Sequence, residues 1–89
     1  MGIFVIFNAS DPEALKHKIA SAYPADWLEL TNGQYLVAAK GTAKDVSDLL
    51  QITEGDTGSA IVFSMGNYFG RSSSNIWDWI KTKAEQTNG

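Results

Sequence analysis

Two stretches of this chain hold the residue types most able to do chemistry. The first is Gly66-Asn67-Tyr68-Phe69-Gly70-Arg71-Ser72-Ser73-Ser74, which sets two aromatics, the chain's single arginine and three serines ahead of a predicted helix start at Asn75. Free N–H groups and the dipole at a helix N-terminus attract anions. A phosphate there could be held by Arg71 with Ser73, Ser74 and Asn75, while Tyr68 or Phe69 stacks on a base. The plainer reading is a connection whose serines compete for one cap: no Walker-type lysine follows, and the glycine spacing fits no phosphate loop. The second stretch is Asn8, Ser10 and Asp11, which follow the first apolar run. A carboxylate at a strand end can bind Mg²⁺, most stably with a second carboxylate or substrate phosphates. Asp11 is the only acid among these three, and a helix start explains it adequately.

The remaining candidates narrow the chemistry further. His17 is the sole histidine, so one chain cannot build a histidine-based triad or a multi-histidine metal site. Cysteine is absent, which removes thiolate nucleophiles, thiolate metal sites and disulfides. No Ser/His/Asp set, zinc signature or spaced carboxylate pair occurs, and no cofactor is expected. Lys16 with Lys18, and Lys81 with Lys83, form two small basic pairs that read as solvated helix faces or as a local positive strip. Seven basic residues against ten acidic ones give a net charge of −3, which disfavours sequence-indifferent nucleic-acid binding.

The elements that must position these residues follow from patterning. Eighty-nine residues, 44% of them hydrophobic, fit one globular domain, residues 1–89. No apolar run approaches the ~18 residues of a membrane span, and no signal-peptide core is evident, so a cytoplasmic protein with no membrane partner is expected. Ile3–Phe7 reads as a strand buried on both faces. Ser10-Asp11-Pro12-Glu13 reads as a helix start in which Ser10 caps and Glu13 bonds back, with a core stripe of Leu15, Ile19 and Tyr23 and a stop at Pro24. Residues 26–31 and 34–40 flank Asn32-Gly33, a strong hairpin signal. Trp27 and Tyr35 are placed to meet across that pair.

Thr42 with Asp45 predicts a second capped helix carrying Ala43, Val46, Leu49 and Leu50. Residues 60–65 read as a fourth strand, again apolar on both faces. A last helix from Asn75 carries the stripe Ile76, Trp77, Ile80 and Ala84, with Trp79 pointing off it. The order of elements is the ferredoxin-like β-α-β-β-α-β arrangement of the α+β class, a four-stranded antiparallel sheet with an extra C-terminal helix.

Two helices cover one face of such a sheet, yet the first and fourth strands are apolar on both. Ile3, Val5 and Phe7 point one way and Phe4 and Ile6 the other; Ile61, Phe63 and Met65 alternate with Ala60, Val62 and Ser64. Leaving such side chains exposed forgoes about 1.5–3 kcal/mol each. Either the C-terminal helix folds back or a second subunit covers them, and the latter implies a homodimer. Phe4, Ile6 and Trp79 are the candidate interface residues on this reading.

Residues 23–28 (Tyr-Pro-Ala-Asp-Trp-Leu), 33–37 (Gly-Gln-Tyr-Leu-Val), 42–50 (Thr-Ala-Lys-Asp-Val-Ser-Asp-Leu-Leu) and 75–81 (Asn-Ile-Trp-Asp-Trp-Ile-Lys), in this order of elements, resemble a group of small bacterial proteins termed SinR-like. That group is similar to the ferredoxin-fold small subunit of the CRISPR spacer-acquisition complex and to the VapD toxins. The resemblance implies a ferredoxin-like homodimer linked to nucleic acid, with Mg²⁺-dependent ribonuclease activity in some relatives. Those relatives carry an aspartate where this chain has Asn8, which leaves Asp11 as the substitute. Three functions are therefore in play: a non-catalytic homodimeric binding or assembly module with a possible protein partner, a Mg²⁺-dependent ribonuclease using Asp11, and an anion or nucleotide binder at the Arg71 loop.

Overall fold

A computed structural model describes residues 2–31, 33–66 and 74–88. The elements run β1 (Gly2–Phe7), α1 (Pro12–Ala22), β2 (Trp27–Thr31), β3 (Gln34–Ala39), α2 (Ala43–Leu49), β4 (Ile61–Met65) and α3 (Ser74–Asn88). The strands form one antiparallel sheet in the spatial order β2-β3-β1-β4. The chain is thus α+β, with a four-stranded antiparallel sheet and helices on both faces. The apolar runs β1 and β3 take the two inner positions, as expected of strands with few polar side chains.

Local chemistry sets the helix ends. Pro12 lacks an N–H and fits the first helical position, so the cap is Asp11, whose carboxylate accepts from the Ala14 N–H at 3.2 Å. Ser10 is therefore not the predicted cap. It is bound across to Ser59 instead: its N–H donates to the Ser59 carbonyl and its Oγ accepts from the Ser59 N–H, both at 2.8 Å. The predicted capping box of α2 is present, with the Asp45 N–H donating to Thr42 Oγ1 at 3.2 Å and the Thr42 N–H to Asp45 Oδ2 at 2.8 Å. Leu50 caps the other end and Gln51 reverses the chain at φ 61°.

The main core lies between the sheet and the first two helices. Phe4 and Ile6 of β1, with Tyr35, Val37 and Ala39 of β3, pack against Leu15 and Ile19 of α1 and against Val46 and Leu50. This corrects the expectation that Phe4 and Ile6 seek a partner subunit: they are 1% and 0% exposed within the chain's own core. Alternation showed that they share a face; only the crossovers decide that α1 and α2 take that face.

On the opposite face, α3 folds back over Ile3 and Leu36 with Ile80, joined by Val5, Leu28, Leu30, Met65, Ile76 and Trp79. The packing stripe of α3 is thus Ile76, Trp79 and Ile80, at helical spacings of three and four. Trp79 sits against the sheet rather than off the stripe. The salt bridge from Lys83 Nζ to Asp26 Oδ1, 2.7 Å long, continues the same stripe and ties α3 to the segment before β2.

Two further expectations change. Leu49 is 52% exposed, because Val46 and Leu50 take the buried side of α2. β4 is not buried on both faces: it is an edge strand, with Ile61, Phe63 and Ser64 exposed.

Candidate functional site

β1 and β4 pair in register from Ile3 opposite Met65 to Phe7 opposite Ile61. α3 covers the Ile3 and Met65 end of this pair. At the other end Phe7 and Phe63 stack on the outer face, ring centroids 5.3 Å apart and planes 20° from parallel, beside Ile61. Phe63 is 52% and Ile61 43% exposed. These two and Leu49 are the large hydrophobic side chains most exposed among the described residues, and α2, which carries Leu49, packs against β4 from the helix face. Ile61 and Phe63 therefore lie together on the outer face of the β4 edge strand, while Leu49 is on the helix packed against the inner face. β-sheet alternation identified Ile61 and Phe63 as sharing a face, but only the footprint of α3 shows that they are left uncovered.

Immediately beyond Phe7 the strand pair is irregular. Phe7 faces Ile61 and Ser10 is bonded to Ser59, so Asn8 and Ala9 oppose the single residue Ala60, as in a β-bulge. Asn8 adopts a left-handed conformation, φ 62°, and is exposed. The loop from α2 closes against this corner: Thr57 Oγ1 donates to the Leu50 carbonyl at 2.9 Å, and Gly58, at φ +87°, comes so close that a Cβ would lie 2.6 Å from Ser10 Oγ. Polar residues of the β1–α1 turn thus fasten two loops together, and the Asp11 carboxylate is engaged at the start of α1. Among the described residues no three His, Asp or Glu side chains gather as a metal site, and no pocket forms.

The other predicted positions are dispersed. His17 is exposed on α1. Lys16 pairs with Glu29 at 3.3 Å and Lys83 with Asp26, so two of the four lysines of the suggested positive strip face carboxylates. Trp27 and Tyr35 do meet across the hairpin, with centroids 6.3 Å apart. Their role is packing: Tyr35 is buried and its hydroxyl donates to the Pro12 carbonyl at 3.1 Å. Burial pushes the Tyr35 phenol above its ordinary pKa, chiefly through desolvation. Tyr68, Phe69, Arg71 and Ser73 lie outside the described residues, as do the side chains of Ser74 and Asn75 at the start of α3. Among the described residues, no helix is long and apolar enough to cross a membrane.

Comparison with known proteins returns no family model, no curated protein and no solved structure that matches this chain. The functional reading therefore rests on the chain's own geometry.

Proposed function

We propose that this protein is a non-catalytic, ferredoxin-like homodimeric binding and assembly module. The observation that carries the reading is the uncovered apolar patch formed by Phe7, Ile61 and Phe63 on the outer sheet face. Small domains gain little from leaving large side chains in water, and contiguous apolar surface of this kind marks contact with another protein. Two supporting features come from the rest of the chain. The four-stranded antiparallel sheet, in the order β2-β3-β1-β4 with α1 and α2 as crossovers, supports a ferredoxin-like reading. The Asp11 carboxylate, the acid that a nuclease reading would use, accepts the Ala14 N–H as a helix cap, which gives it a structural role.

The reading keeps the resemblance to the SinR-like group and its link to nucleic acid as a matter of partner rather than of chemistry. A net charge of −3 favours a protein partner over direct, nonspecific contact with a phosphate backbone. Sedimentation velocity at tens of micromolar tests the proposal: a dimer is expected, and a monomer overturns it.

A further inference from the structure

The two edges of the sheet differ in a way that bears on how copies meet. An edge strand presents a row of unpaired N–H and C=O groups, and proteins that stay monomeric blunt such edges with charge, proline or a bulge. β2 is blunted: it carries the exposed Glu29, paired to Lys16, and its register with β3 is broken between Glu29 and Thr31. Among the described residues, β4 has none of these devices. Ile61-Val62-Phe63-Ser64-Met65 contains no charge and no proline, and it keeps unbroken register with β1 throughout. Ile61 and Phe63 of this strand are both exposed.

We propose that β4 pairs antiparallel with β4 of a second copy, joining two sheets into one of eight strands about a two-fold axis at Phe63. The inference rests on the homodimer reading and specifies its interface. A strand is the occupant that satisfies a row of backbone donors and acceptors, and β4 suits itself as partner because like strands without charge meet with no repulsion. Centring the axis on Phe63 sets Ile61 opposite Met65, Val62 opposite Ser64 and Phe63 opposite its own copy. The Phe7–Phe63 stack then continues across the axis. A two-fold contact of this kind closes on itself, and the blunted β2 edge leaves no second site from which an open fibre could grow.

The test is a charge exchange at one position, read by sedimentation velocity at tens of micromolar. Phe63 is half exposed, so F63K and F63E are expected to keep the wild-type circular dichroism spectrum. Wild type is expected to be a dimer, each variant alone a monomer, and their equimolar mixture a dimer again, because lysine then faces glutamate. A monomeric wild type overturns both this inference and the homodimer reading. A dimer that survives both substitutions, or a mixture that stays monomeric, overturns the β4 pairing and leaves the homodimer reading standing. Should a charged variant lose its folded spectrum, F63C decides in this cysteine-free chain: oxidation is expected to give a covalent dimer, and its absence overturns the pairing.

Discussion

Asp11 separates a structural role from a chemical one. Its carboxylate accepts the Ala14 N–H at the start of α1, a role that serine fills about as well and alanine does not. Asp11→Ala is expected to lower unfolding stability by about 1 kcal/mol, and Asp11→Ser to restore most of it. Urea denaturation of the three proteins reads this directly. The same proteins incubated with structured and single-stranded RNA and Mg²⁺ test the chemistry: cleavage that EDTA stops and that both substitutions abolish would make Asp11 a metal ligand and overturn the cap-only role. Asp11-Pro12 was legible as a helix start from residue types alone, because a proline at the first turn and a short acid before it have few other uses. That Asp11 caps and Ser10 does not was illegible, because the bonds that claim Ser10 come from Ser59, forty-nine positions away.

At the scale of elements, local signals fared best where the interaction they encode is itself local. Thr42 and Asp45 cap α2 as their spacing predicts, and Gly33 turns the hairpin at φ +85°. The same logic exposes a sensitive point at Gly41, which sits at φ +93° with Asp45 packed against it; an added Cβ would lie 2.5 Å from Asp45 Oδ2. Gly41→Ala combines a strained backbone with displacement of the capping carboxylate, and is expected to cost about 1–3 kcal/mol. Thermal unfolding followed at the far-ultraviolet helix band measures it, and an unchanged midpoint would show that the turn relaxes without cost. The helix stripes were less legible. The sequence places Trp77 and Trp79 two apart, so each is offered to a different face, and only the docked helix selects Trp79 for the sheet. Leu49 was expected in the core on spacing from Val46; the arc that α2 buries is narrower than that and takes Val46 and Leu50.

At the scale of the whole molecule, one chain of 89 residues builds a three-layer arrangement in which α3 does for the outer face what α1 and α2 do for the inner one. Ile80 is the buried anchor of that third layer. Ile80→Ala is expected to destabilise by about 2–4 kcal/mol through lost burial and a residual cavity. That is a large share of the roughly 5–9 kcal/mol plausible for a domain of this size. Denaturant unfolding provides the measurement; a loss under about 0.5 kcal/mol, the scale of an ordinary surface substitution, would show that α3 contributes little to the folded state. The sequence by itself determined the strands, the helices, the hairpin and the surplus of apolar surface over what two helices can cover, since each follows from nearest neighbours and periodicity. Only the tertiary structure decided that Phe4 and Ile6 lie inward, that α3 covers the sheet over Ile3 and Leu36, and that the surplus ends at Ile61 and Phe63. Periodicity says which side chains share a face, but which face is covered, and how far, depends on contacts between residues distant in the chain.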